Sequence, residues 1–289
     1  VAHDAIEKAQ AGTLLWNNLQ GIDPTGTFRK NIFVSNGGVM TADLMLEIAA
    51  GNVSGFSSVN KFGENPDIGV GTTEDVWDGG GTYSFPTTAT ITHIRSAVDS
   101  ATTQGATIEV QGLDASWDLV IQTKDLDGTN STTEVALGTP LIRVFRMKVL
   151  ENAVMDQDIW AGDDDFVVGA AKAIIQAGNN QTLMAIYTVP NGCTGYMTQY
   201  YIDNQTDGTR NPDSVEFKLW VADRDAGYEF QLKHMRAIPH IGDGITQQFK
   251  PYLKITQKSD IKISAGVTGS VNEDGHPHAG FDIILVTNT

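Results

Sequence analysis

The sequence predicts a mainly β protein: two antiparallel β-sandwich (jelly-roll-like) domains preceded by an irregular N-terminal arm with short helices. Three observations predict it. Apolar and polar residues alternate in many short runs, as in Thr90-Ile91-Thr92-His93-Ile94-Arg95, which is the period-two signature of a strand with one buried face. Turn formers separate the runs, as at Pro190-Asn191-Gly192 and between Asn204 and Pro212. No long amphipathic helical pattern lies between the later runs, so strand follows strand, as antiparallel sandwiches require.

The elements are expected in three zones. Residues 1–58 form the arm. Asp4 is placed to cap a helix running toward Leu19, with Glu7 three residues on, although Gly12-Thr13 weakens it. A short strand is expected over 28–35. A second helix is expected over 40–50, because Thr41 can cap it, Leu44 and Ile48 share a face, and Gly51 sits at its stop. Residues 59–160 form the first β domain, with strands over 90–98, 107–111, 119–123 and 141–150. In the last of these, Leu141, Val144, Met147 and Val149 interleave with Arg143, Arg146 and Lys148, with one phase slip. Turns are expected at Asp78-Gly79-Gly80-Gly81 and Asp127-Gly128. Residues 161–289 form the second β domain, with strands over 166–175, 182–189, 195–203, 214–222, 228–236, 248–256, 260–266 and 280–286.

Charge excludes several functions. Nineteen basic against 35 acidic residues give a net −16 over 289 residues. Phosphate backbones are held by clustered Lys and Arg, and no such cluster exists here, so no nucleic acid is expected as a partner. The same field repels anionic membrane surfaces, and no run approaches the 18 or so apolar residues of a membrane helix. The start of the chain has neither the basic residues nor the apolar block of a signal peptide. With the single Cys193, which allows no intrachain disulfide, this leads to an expectation of cytoplasmic synthesis.

Candidate chemistry is sparse. The stretch from Thr123 through Asp125, Asp127 and Gly128 to Glu134 nearly matches an EF-hand loop, with Gly sixth and Glu twelfth. Its first ligand is Thr123 rather than Asp, and a β-hairpin with an Asp-Gly turn explains the same residues. Asp156, Asp158, Asp163, Asp164 and Asp165 form an acidic cluster that suits either Ca²⁺ or a solvated linker. His276 and His278 are the most metal-like pair, since they project to one side of an extended segment. Three chains meeting on an axis would bring six such nitrogens together; the alternative is a polar loop tip. His3, His93, His234 and His240 are scattered. Trp77, Trp117, Trp160 and Trp220 with Tyr196, Tyr200 and Tyr201 suit a sugar platform or, more ordinarily, core and interface anchors. Cys193 lies in a turn without a basic neighbour to activate it. No Gly-x-Ser-x-Gly motif occurs, and Gly79-Gly80-Gly81 lacks the Lys of a phosphate loop. A non-enzymatic protein without cofactors is expected.

Four stretches resemble a family of virion structural proteins of tailed phages, of the marine phage type. They are Ser58-Val59-Asn60-Lys61-Phe62-Gly63-Glu64-Asn65-Pro66-Asp67, Thr72-Thr73-Glu74-Asp75-Val76-Trp77-Asp78-Gly79-Gly80-Gly81-Thr82-Tyr83, Leu141-Ile142-Arg143-Val144-Phe145-Arg146-Met147 and Asn179-Asn180-Gln181-Thr182-Leu183-Met184-Ala185-Ile186-Tyr187-Thr188-Val189-Pro190. The resemblance implies a place on the virion and brings no catalytic residues with it. The expectation is an exterior capsid decoration (cement) or head-appendage protein, a homotrimer whose main partner is the major capsid protein, with residues 1–58 as attachment arm. The lack of a long helix argues against the major capsid protein itself. The alternative is a tail-associated receptor-binding protein whose C-terminal domain binds host surface glycans through loops 203–213 and 269–278.

Overall fold

A computed structural model of the chain describes residues 33–35, 38–40, 44–151, 153–164, 170–205, 212–239, 244–270 and 273–288. The expected helix from Asp4, most of the expected strand over 28–35, the Thr41 cap, His3, His240 and Asp165 lie outside the described residues. The protein is mostly β and all described strand pairs are antiparallel. Contacts divide it into two units, residues 1–53 and 54–289.

In the first unit β1 (Phe33–Ser35) pairs with β2 (Gly38–Met40), and α1 (Leu44–Ala49) follows. Met40 therefore ends a strand rather than opening the helix, which is shorter than expected. Gly51 closes that helix with φ of +75°, a backbone state that costs glycine least. Ile48 is buried while Leu44 and Leu46 are 61% and 64% exposed.

Among the described residues the second unit holds four sheets. One pairs β11 (Ala173–Ile175), β10 (Ile159–Gly162), β5 (Ile91–Ser96) and β8 (Val135–Leu141) in that order. A second pairs β7 (Leu119–Asp125), β6 (Thr107–Leu113) and β9 (Arg143–Val149). A third orders β12 (Ile186–Thr188), β17 (Asp260–Thr268), β14 (Ser214–Ala222) and β15 (Phe230–Pro239), with β4 (Thr73–Asp75) also on β17. The fourth orders β16 (Ile245–Ile255), β13 (Cys193–Gln205), β18 (His276–Thr287) and β3 (Phe56–Glu64).

Alternation explains the packing. In β14 Val215, Phe217, Leu219 and Val221 are buried, and they share one core with Ile261 and Ile263 of β17 and with Met197, Tyr200, Phe281 and Ile283 of the fourth sheet. A second core joins Ile91, Ile94 and Ile159 of the first sheet to Ile108, Val110 and Met147 of the second. Strand membership crosses residue 160. β3 and β4 precede β5 in sequence yet belong to the sheets around the core of β14 and β17, and β11, beyond residue 160, pairs with β10 in the first sheet. Residues 54–289 are thus one interleaved unit. The first and last strands of this unit lie side by side: β3 pairs with β18 from Phe56↔Val286 to Glu64↔His278, and Thr287 N donates to the Gly55 carbonyl at 2.8 Å.

The single strand expected over 141–150 is divided by a change of sheet, and its phase slip is a bulge within β9, where Val144 pairs with Gly112 and Arg146 with Gln111, leaving Phe145 extra. β8 ends at Leu141 and β9 begins at Arg143. Arg143, expected on a polar face, is buried. Its guanidinium pairs with Asp260 at 2.9 and 2.7 Å and donates to Tyr228 Oη at 2.6 Å and to the Pro86 carbonyl. Both partners of this ion pair are nearly inaccessible to water, a state that a charge tolerates only when paired and hydrogen-bonded.

Candidate functional site

His276 and His278 lie at the start of β18, two residues apart and so on one face of the strand. The neighbouring strand supplies a third group to that face: Glu64, the last residue of β3, stands directly opposite His278. Directly opposed side chains have Cβ atoms about 5 Å apart and diagonal ones remain in reach. Nε2 of His276 and Nε2 of His278 each lie 3.2 Å from Oε2 of Glu64. The two imidazoles are 4.7 Å apart between centroids and inclined at 61°. The hydrogen bonds from His276 and His278 outweigh the burial of Glu64 and pull its pKa down to about 2.

The backbone around the trio is held from several sides. His276 N donates to Asn204 Oδ1 at 3.1 Å. Asn65 N donates to the Pro277 carbonyl at 3.1 Å, and Ile68 and Gly275 exchange bonds of 3.0 and 2.9 Å. Pro277 between the histidines fixes its own φ. Glu64 and His278 open onto a groove of about 490 Å³ whose lining includes Tyr201, Asp203 and Thr246. Among the described residues this is the group of His, Cys, Asp or Glu side chains whose ligand atoms, all within 4.8 Å of one another, suit a metal ion. Two imidazole nitrogens and one carboxylate oxygen can ligate a transition metal.

The other expected ligands are not brought together. Asp125 ends β7, Glu134 precedes β8, and both flanks of the EF-like stretch are strands rather than helices. Asp127 Oδ1 is occupied by its own turn, accepting from Thr129 N, Thr129 Oγ1 and Asn130 N at 2.7–2.8 Å. The expected hairpin is not formed either: β7 pairs with β6 and β8 with β5, so the Asp127-Gly128 turn links two sheets, and Asp125, Asp127 and Glu134 form no common ligand set among the described residues. The acidic cluster is dispersed likewise: Asp156 accepts from Ser100 Oγ and Asp158 from Ala177 N.

The aromatic residues serve as anchors. Trp77 is buried edge-on against Tyr83 at 5.0 Å. Trp117 lies under Arg143 at 4.8 Å, Trp160 under Arg95 at 5.5 Å, and Trp220 Nε1 donates to Ser264 Oγ at 2.9 Å. Tyr200 is in the core, donating to or accepting from His234 Nδ1 at 2.7 Å. Tyr201 reaches Asn60 Nδ2 at 3.0 Å on the β3 side of its sheet. Cys193 opens β13, and burial pushes its thiol pKa up, away from nucleophilic character.

Sequence reasoning missed Glu64, which is 212 positions from His276, and its only signal is the long-range pairing of β3 with β18. It also missed a buried polar node. Lys61 of β3 is fully enclosed, donates to the Phe145 carbonyl, and has its pKa lowered well below the usual amine range by burial. Asp78 accepts from Leu183 N at 2.7 Å through Oδ2, while its Oδ1 has no hydrogen-bond partner. Burial raises the Asp78 pKa to about 9.

No protein-family model and no curated protein matches the chain. Among solved structures, three that resemble it come from infectious bursal disease virus. The chain aligns to that of the Gt strain at 11% identity and a TM-score of 0.20, covering 81% of this chain and 73% of that one. The T=1 particles give 10% and 0.22 over 81% and 70%, and the VP2 subviral particle 10% and 0.22 over 81% and 72%. At these TM-scores the likeness carries no argument about role.

Proposed function

We propose that the chain is a non-catalytic structural component of a bacteriophage virion, placed on the particle exterior as a capsid decoration or head-appendage protein. The observation that carries this reading is where the four phage-like stretches fall. They are far apart in sequence, yet they meet at the buried node. Lys61 donates to the Phe145 carbonyl. Thr182 N donates to the Met147 carbonyl at 3.0 Å, Ala185 N to the Val76 carbonyl at 2.9 Å, and Asp78 N to the Leu183 carbonyl at 3.0 Å. A Cβ on Gly63 would come within 2.4 Å of Ala185 N. Resemblance concentrated on one packed node is resemblance in a shared framework rather than in separate short words.

The surface supports assembly by protein contacts. β15 and β16 are the outer strands of their sheets among the described residues, and they expose Leu232, Met235 and Tyr252. Open edges with apolar side chains are surfaces that another chain can cover. The first unit, with Leu44 and Leu46 outside, fits the role of attachment arm. Self-association as a homotrimer and docking on the major capsid protein complete the proposal, and the net charge of −16 would keep decorated particles apart in solution.

The test is to label the full chain at Thr289 and image particles that carry it by electron microscopy. Label spread over the shell is the expected result. Label confined to the tail tip would replace this reading with the receptor-binding one, and particles without label would remove the protein from the virion.

A further inference from the structure

We infer that Glu64, His276 and His278 form a zinc-type metal site contained within one chain, which clamps the edge strand β3 to β18. This inference does not depend on the virion reading. It rests on donor chemistry, spacing and support.

The donor set is two imidazole nitrogens and one carboxylate oxygen, which suits zinc and its transition-metal neighbours. Hard cations such as Ca²⁺ need six or more oxygen ligands, and one carboxylate cannot provide them. Two of the three ligand separations match tetrahedral coordination. Ligands about 2.05 Å from zinc stand ~3.3 Å from one another, and the two nitrogen-to-oxygen separations here are 3.2 Å. The third separation is within 4.8 Å. His278, the most exposed of the three, closes it by a small side-chain rotation. The fourth position faces the groove and is open to water or to a donor from outside, as in zinc sites with three protein ligands.

The site is also built in advance. Asn204 holds the His276 backbone, Asn65 holds Pro277, and Ile68 holds Gly275. Asn179 Nδ2 approaches the second oxygen of Glu64 at 3.5 Å. Such outer contacts fix ligand orientation. Because His278 and Glu64 face each other across the β3–β18 pair, a bound ion adds a cross-link to two strands already joined by backbone bonds, packing and the Asn60–Asp282 side-chain bond. No second chain is needed, in contrast to the axial arrangement expected from the histidine pair alone.

The experiment uses the full chain, stripped with a chelator and titrated with ZnCl₂ by calorimetry, with CoCl₂ as a spectroscopic probe. One zinc per chain is expected, together with a visible cobalt absorption of four-coordinate intensity and a raised unfolding midpoint. Ca²⁺ at equal concentration should produce neither effect. His276→Ala, His278→Ala and Glu64→Gln should each weaken zinc at least on the order of 100-fold, the loss that even outer-shell changes can cause. Unfolding midpoints of the metal-free variants near that of the parent show that the fold survives. Unchanged zinc uptake by the His276→Ala/His278→Ala chain would overturn the proposal. So would one zinc per three chains in a trimer, and so would a parent chain whose cobalt spectrum stays that of the hydrated ion.

Discussion

Replacing Asp78 by Asn should flatten the dependence of stability on pH. Asp78 is 7% exposed, and Oδ1 has no hydrogen-bond partner while Oδ2 accepts from Leu183 N. Burial is the main cause of a pKa raised to about 9; nearby Glu64 and Asp158 push the same way, against the Leu183 hydrogen bond and Lys61. The unfolded chain releases this proton near pH 4 and the folded chain keeps it to about pH 9. The Asp78 contribution is therefore fully present below pH 4 and declines as pH rises through that window. Each pH unit between the two values removes about 1.4 kcal/mol, so the parent should lose about 3 kcal/mol between pH 5 and 7 that Asp78→Asn does not lose. Urea unfolding followed by tryptophan fluorescence, with Trp77 next to the substituted residue, measures both chains at pH 5, 6 and 7. Contributions common to both chains cancel in the difference. Glu64, with its pKa near 2, titrates outside this range. Parallel curves for parent and variant would refute a neutral Asp78.

Arg143→Met leaves Asp260 buried without its cation and should cost about 3–5 kcal/mol, read from the urea midpoint at neutral pH. Gly112→Ala places a Cβ 2.1 Å from the Arg143 carbonyl oxygen, and overpacking of this kind should lower stability by about 1–3 kcal/mol on thermal unfolding. Ile121→Lys, on the outer face of β7 where the side chain is 58% exposed, should shift stability by less than about 0.5 kcal/mol. Leu232→Lys with Met235→Lys should be equally neutral for folding and, under the proposed capsid-decoration role, should reduce co-sedimentation with particles, because these exposed residues lie on the outer strand β15.

How much of this was legible in the sequence depended on range. β6, β14 and β17 alternate within themselves, so their existence and inward faces followed from Ile108, Phe217 and Ile263 alone, whereas β5 buries both Ile91 and Ile94 only through a bulge between Ile91 and His93. Arg143 broke the pattern because its partner Asp260 is 117 positions away, and nothing local announces that a cation will be enclosed. The phase slip beside it was visible, but its meaning, a bulge at Phe145 where β9 lies along β6, needed the pairing register. The same held at the site. His276 and His278 declared themselves by type and spacing, whereas Glu64 is one of 35 acids until β3 is laid against β18. Asp127 shows the reverse: its spacing suggested a ligand, and its own turn uses the oxygen.

The closure of the second unit by its first and last strands has a consequence for synthesis. β3 leaves the ribosome long before its neighbour: Asn60 waits 222 residues for Asp282, to which its side chain bonds. Pairing over such separations is slow, so this sheet reaches completion only when nearly the whole unit has been made. Until then β3 presents an unpaired edge, and a crowded cell producing many copies would expose that edge to β18 of another nascent chain. Exchange of the last strand between copies is therefore the misassembly to which this topology is most open.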